Sequence, residues 1–253
     1  MKNKIVHIRI FLISLVAFLT FCGCTSNVQH NKDVSNDTIF PKMLVLAKKG
    51  NAEAQYFTGM FYNNGIGIDK NYNKAFEWFQ KSNLSGHPLG AYKLGCYFSG
   101  QFNVIPIDKE KALQYKLIAA KAGYSRAQYD VASIYFNQLE FNKALQWFKD
   151  AANQGHYPAT FLLANVYKTD QYIQKDYISS YFYTKLALYR SNSKDSIKLR
   201  KNLHELKKLM ASDEIEKANR LILSWEVSPT SLTLEANSGM KTAHNIVRYD
   251  YIN

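Results

Sequence analysis

The sequence predicts an all-α protein, a solenoid of stacked helix pairs closed at one end by a C-terminal helical cap. Three observations carry that expectation. An aromatic-x-x-small-x-x-aromatic spacing recurs four times, as Tyr56-Gly59-Tyr62, Tyr92-Gly95-Phe98, Tyr129-Ala132-Tyr135 and Phe161-Ala164-Tyr167. Each copy runs on into a second amphipathic stretch with a small residue near its start: Ala75, Ala112, Ala144 and Ser180. In three copies that stretch ends at a glycine, Gly86, Gly123 or Gly155. The small residues of the first stretch lie 36, 37 and 32 residues apart, a period typical of helical repeat arrays whose units cannot bury their apolar faces alone.

Taken in order, the N-terminus reads as an export signal. Lys2, Lys4 and Arg9 flank or precede an apolar run from Ile10 to Phe21. Such a run suits the core of a signal peptide and is too short to cross a bilayer as a helix. Phe21-Cys22-Gly23-Cys24 resembles a bacterial lipobox, although Phe21 and Cys22 depart from the usual leucine and alanine or serine. The resemblance implies that residues 1–23 are removed as a lipoprotein signal peptide and that Cys24 carries the lipid anchor. Thr25 in the next position implies sorting to the outer membrane. Residues 24–39 are polar and aperiodic, which predicts a flexible tether. Cys96 is then the remaining thiol, so no intramolecular disulfide is expected and packing must supply stability.

Residues 40–191 are expected to hold an N-terminal half-repeat helix and four helix pairs, at about 52–87, 88–124, 125–156 and 157–191. Two helices approach closely only where side chains are small, which explains Gly59, Gly95, Ala132 and Ala164 on the first helix and their small counterparts on the second. Trp78, Tyr115, Trp147 and Tyr183 are expected to fill the space between repeats. Glycine ends the second helix because it enters the left-handed conformation without strain. The fourth copy has Ser191 at that point.

Residues 52–87, AEAQYFTGMFYNNGIGIDKNYNKAFEWFQKSNLSGH, resemble the Sel-1-like repeat, a relative of the tetratricopeptide repeat, nearly throughout. The likeness includes the Gly65-Ile66-Gly67-Ile68 loop and Asn71-Tyr72. It implies a right-handed α/α superhelix over about residues 40–191. Two copies depart from the pattern. The second replaces the glycine loop with Phe102-Asn103-Val104-Ile105-Pro106, and the third drops it, with 12 residues from Ala132 to Ala144 against 16 from Gly59 to Ala75. Residues 192–225 read as a two-helix cap, with Leu199, Leu203, Leu206 and Met210 at helical spacing and Ser212 as N-cap. A solenoid needs such a cap to cover its last apolar face. Residues 226–253 contain Pro229 and mixed polarity and are expected to be irregular, with Val247 to Tyr251 as a short extended segment.

Candidate chemistry is sparse. His87 and His156 each follow a helix-ending glycine, so the repeat accounts for both without a metal. Cys96 follows Gly95 on a first helix, where the other copies carry Met60, Ser133 and Asn165, and reads as a structural or surface thiol. Gly65 and Gly67 are followed by no Lys-Ser/Thr pair and preceded by no strand, so no phosphate loop is expected. No catalytic residue, metal ligand, cofactor or small-molecule substrate is assigned. Setting Lys2, Lys4 and Arg9 aside, 32 basic residues become 29 against 20 acidic ones. That excess favours acidic surfaces, with Lys198, Arg200, Lys201, Lys207 and Lys208 as the densest cluster. Export disfavours nucleic acid as the partner.

What remains is a binding face. In tetratricopeptide-type solenoids the first helix of each repeat lines the concave side. That placement gives Tyr56, Met60 and Asn63 in the first copy, and Tyr92, Cys96 and Ser99 in the second. The third adds Tyr129, Ser133 and Phe136, and the fourth Phe161, Asn165 and Lys168. Such an aromatic row suits recognition of another protein, while packing between repeats would use the same rings. The expected protein is therefore a non-enzymatic, lipid-anchored, periplasm-facing scaffold or adaptor. The resemblance also offers an immunity protein against a secreted phospholipase-type effector; an envelope enzyme has no residue set behind it.

Overall fold

The computed structural model describes residues 36–249, which form α-helices and one 3-10 turn, with no strand among the described residues. Helix α1 (Asn36–Lys48) precedes four consecutive pairs: α2 (Ala52–Asn64) with α3 (Tyr72–Leu84), α4 (Pro88–Phe98) with α5 (Lys109–Lys121), α6 (Ser125–Asn137) with α7 (Phe141–Asn153), and α8 (Tyr157–Val166) with α9 (Tyr177–Arg190). Helices α10 (Ser193–Leu209), α11 (Ser212–Ser224), α12 (Ser231–Ser238) and α13 (Met240–Tyr249) follow. The signal segment, Cys24 and most of the tether lie outside the described residues, as do residues 250–253.

Local chemistry sets the helix ends. The side chains of Asn51, Asn71, Asp108 and Asp176 each accept a hydrogen bond from the backbone N–H three residues on, at 2.8 to 3.0 Å, satisfying donors that a helix start leaves bare. Gly86, Gly123 and Gly155 take φ of 85°, 93° and 85° and turn the chain out of the second helices. Where the glycine loop is missing, Leu139 is forced to φ 63° and stays 74% exposed. In the second pair Phe102 takes φ 70° and stacks on Tyr72 with centroids 4.4 Å apart, so the altered loop plugs back onto the preceding repeat.

The small residues sit at the helix contacts. A Cβ on Gly59 would come within 2.6 Å of the Phe79 ring, and one on Gly95 within 2.7 Å of the Lys116 stem and 3.0 Å of the Ala112 carbonyl. Ala75, Ala112, Ala144 and Ser180 are buried opposite. In the first and third pairs the ring that fills the interior is shifted by one place from the sequence reading. Phe79 and Phe148 are buried to the last per cent, whereas Trp78, Tyr115 and Trp147 are half-buried. Tyr183 is buried as expected and stacks on Tyr167.

The cap is built by α10 and α11, with Leu199, Leu203, Leu206, Met210 and Ala218 buried. Ala211, not Ser212, is the N-cap of α11, and its N–H is accepted by the Glu214 carboxylate at 2.9 Å. Two boundaries need correction. Helix α1 begins at Asn36, so residues 36–39 of the expected tether are helical and Ile39 is fully buried. The tail is not irregular: residues 231–238 and 240–249 are α12 and α13, broken at Gly239 (φ 50°). Met240, Ala243 and Val247 stand at helical spacing, and that period outweighs the brief alternation after Val247.

The tail runs back along the array as a strap. Arg190 lies over the Trp225 ring at 5.2 Å, and the Ser228 N–H donates to the Asn153 carbonyl at 3.0 Å. The Thr230 hydroxyl donates to the Gly123 carbonyl at 2.8 Å, and the Thr233 hydroxyl donates to Gln154 Oε1 at 2.7 Å while accepting the Ser125 N–H at 3.0 Å. Glu235 comes within 3.1 Å of His87 Nε2. Leu232, Ala243 and Val247 then join Ile39, Phe40, Met43 and Phe61 in one core. The chain thus covers both ends of its own array, using α10–α11 beside α9 and α13 beside α1.

Candidate functional site

The first helices share a face, and its residues divide into three groups. Tyr56, Asn63 and Tyr92 are buried, at 7%, 6% and 6% exposure, so they offer no docking surface. The ring of Tyr56 stacks on His87 at 5.5 Å, closing the seam between the first two repeats. Asn63 Oδ1 accepts from the Tyr97 hydroxyl at 3.0 Å in a buried hydrogen bond. The Tyr92 hydroxyl donates to Asp130 Oδ2 at 3.2 Å and accepts from Arg126 Nε at 3.1 Å. These three are packing residues. Rings at their register meet the start of the next first helix, and sequence spacing does not show that contact.

Met60 and Ser133 form a second group. Both are half-buried: Met60 packs against the first core, and the Ser133 hydroxyl donates to the Tyr129 carbonyl at 2.9 Å within its own helix. Neither lines the cleft between α6 and α8.

Tyr129, Asn165 and Lys168 do come together. With Phe136 and Phe161 they line an open cleft of about 690 Å³ between α6, α8 and the start of α10. Tyr157, Tyr172 and Asp195 complete the wall. Tyr129 is held by His156 at 4.8 Å and Phe148 at 5.6 Å between centroids. Tyr172 leans on Phe136 at 4.8 Å and Phe141 at 5.4 Å. Asn165 Nδ2 donates to the Phe161 carbonyl at 2.7 Å. Lys168 Nζ donates to Glu205 at 2.6 Å, tying the fourth repeat to the cap, and the Tyr157 hydroxyl donates to Asp195 Oδ2 at 3.0 Å. Of the wall residues absent from the sequence reading, Tyr157 carried a weak signal, as the residue after His156 at a helix start. Tyr172 carried none, because it lies in a loop with no repeat template.

Burial sets the electrostatics of this wall. It pushes His156 down to about 4, with the Arg126 charge adding to the effect, so the imidazole beside Tyr129 is neutral at pH 7. Burial and then the hydrogen bond to Asp195 push Tyr157 up to about 12. The Lys168 hydrogen bond holds Glu205 below its usual value. Burial raises the pKa of Cys96, which holds it as a thiol. Among the described residues no group of three or more His, Cys, Asp and Glu side chains converges as metal ligands would, and no helix is long and apolar enough to cross a membrane. The arrangement is an apolar, ring-lined recess with fixed polar anchors, suited to holding a ligand.

Comparison with known proteins gives a consistent picture. The Sel1 repeat model matches residues 52–87, 88–124, 125–156 and 158–192. The chain is 28% identical over 142 residues to a sel1-like repeat-containing protein, L21, of Acanthamoeba polyphaga mimivirus, covering 55% of this chain and 26% of that protein. It is 28% identical over 170 residues to the chitin synthase regulator SKT5 of Saccharomyces cerevisiae, covering 61% and 24%. The chain thus spans about a quarter of the length of these relatives. Among solved structures, a Sel1 repeat protein from Oxalobacter formigenes shares the fold, with a TM-score of 0.57 at 20% identity over 84% of this chain and 80% of that one.

Proposed function

Because the chain belongs to the Sel1 repeat family, we propose that it is a non-enzymatic protein-binding scaffold of the bacterial cell envelope. Its partner is held in the cleft between the third and fourth repeats. The observation that carries this reading is the cleft itself: five rings, Tyr129, Phe136, Tyr157, Phe161 and Tyr172, surround about 690 Å³ of open space. Hot spots of protein interfaces favour such rigid aromatic area beside fixed polar groups. The envelope placement rests on the signal-like run and on Gly23-Cys24, with Cys24 as the lipidated residue facing the periplasm from the outer membrane.

Site-specific photocrosslinking in living cells tests the reading. A crosslinker at Phe161 or Tyr172 should give one discrete protein adduct, and a crosslinker at Gln114, exposed on α5, should not. Adducts at Gln114 alone would move the binding face elsewhere. For the anchor, Cys24→Ala should shift the protein from the membrane fraction to a soluble or unprocessed form. A processed Cys24→Ala protein retained in membranes would remove the anchor from the proposal.

A further inference from the structure

The first-helix face changes character beside the aromatic cleft. Where α4, α5 and α6 meet, Lys116 and Arg126 lie about a carboxylate, Asp130, and Lys93 stands near Arg126 and Cys96. Asp130 is engaged through one oxygen. Its Oδ2 lies 3.3 Å from Lys116 Nζ and accepts the Tyr92 hydroxyl at 3.2 Å. Arg126 reaches the group only through that hydroxyl, donating from Nε at 3.1 Å, and is otherwise exposed. Lys93 is half-buried and makes no hydrogen bond or ion pair among the described residues. Three cations are therefore gathered near one carboxylate, and Lys93 sits where solvent is partly excluded. Burial, with the Arg126 charge adding to it, lowers the pKa of Lys93, the direction expected of an ammonium without its counter-charge. A site of this kind gains from an incoming anion, because part of the desolvation of Lys93 is already in place.

We propose that Lys93 and Arg126 form a carboxylate subsite that takes an Asp or Glu side chain of a partner polypeptide whose neighbouring residues fill the aromatic cleft. The inference rests on the protein-binding reading above and specifies the partner: acidic and apolar within a few residues. Helix α6 sets that spacing, since Arg126 and Asp130 belong to the charged subsite while Tyr129 and Phe136 line the cleft. An extended chain covers about 3.3 Å per residue, so a short segment spans both.

Selection from a random 12-residue peptide library on the folded full chain tests this. The enriched peptides should carry Asp or Glu next to aromatic or aliphatic residues. Lys93→Gln with Arg126→Gln should abolish the acidic preference and weaken a selected peptide about tenfold while leaving the apolar preference and the melting temperature in place. If the double variant unfolds, Arg126→Gln alone, at an exposed side chain, carries the test by fluorescence anisotropy with the same peptide. Enriched peptides without an acidic excess would overturn the subsite and leave the cleft standing, as would an acidic preference that survives the substitutions. No enrichment at all would overturn both readings. Displacement of the selected peptide by inorganic phosphate or a 12-residue uridylate, lost in the double variant, would overturn the carboxylate assignment.

Discussion

At the scale of single residues, backbone conformation and side-chain volume decide the outcomes. Leu139 is left-handed at φ 63° and 74% exposed, so it holds strain with little packing in return. Leu139→Asn should stabilise the fold by about 0.5–1 kcal/mol, read by urea denaturation, because asparagine tolerates that conformation. Gly59→Ala runs the other way. Its Cβ would press the buried Phe79 ring at 2.6 Å, for a loss of roughly 1–3 kcal/mol despite better helix propensity. A Cβ at Gly86 would meet nothing within 4 Å, so Gly86→Ala should cost only about 1 kcal/mol for its φ of 85°. His156 gives a pH signature. Its folded pKa of about 4 lies below the unfolded value near 6.5. Its contribution is therefore complete above pH 6.5 and is lost as pH falls from there towards 4, on the order of 2 kcal/mol after allowing for partial exposure. His156→Asn should flatten the difference in stability between pH 7 and pH 4.5, and an unchanged difference would exclude this histidine as its source. The small residues were legible in the sequence because close helix contact leaves few alternatives to them. Tyr56 and Tyr92 were not, since an aromatic ring serves a seam or a surface equally well until its neighbour, His87 or Arg126, is placed beside it.

At the scale of elements, the repeated pairs were legible and the strap was not. A helix pair is specified locally by period, cap and glycine stop, and the pattern arrives four times over. Helices α12 and α13 are 8 and 10 residues long, too short for a period to outweigh Pro229, and what fixes them is distant in sequence. Thr233, 3% exposed, binds across to Ser125 and Gln154. Thr233→Val keeps the shape but leaves the Ser125 N–H without its acceptor, while Gln154 Oε1 keeps the Thr230 N–H; the loss should cost about 1–3 kcal/mol. Hydrogen exchange at the Ser125 amide should quicken in that variant, and unchanged protection there would mean the strap is not held by this residue. The aromatic cleft falls between these cases. Tyr129, Asn165 and Lys168 were placed on it by register, while Tyr172 and Asp195 belong to a loop and a cap whose courses no repeat dictates.

At the scale of the whole molecule, the strap changes how the array behaves. Open repeat arrays couple nearest neighbours, so their stability is a sum over adjacent units. Here Thr230 and Thr233 bind the second and third repeats, and Ala243 and Val247 bury themselves with α1, adding links between units far apart in the chain. A single cooperative urea transition is expected for the intact protein. Val247→Asp, placing a charge at a site 1% exposed, should split it by releasing α1 and the first pair before the rest; one unsplit transition at lower urea would show that the array is cooperative without the strap. The same arrangement constrains the order in which the molecule can be completed. Ile39, Phe40 and Met43 leave the ribosome about two hundred residues before Ala243 and Val247, and their apolar surface stays bare until those residues arrive. A nascent chain can assemble pair upon pair as it emerges, yet α1 is covered only when α13, made much later, arrives. Arrest or truncation short of Ala243 would leave a well-formed array with an adhesive end, the kind of intermediate that holding chaperones exist to shield.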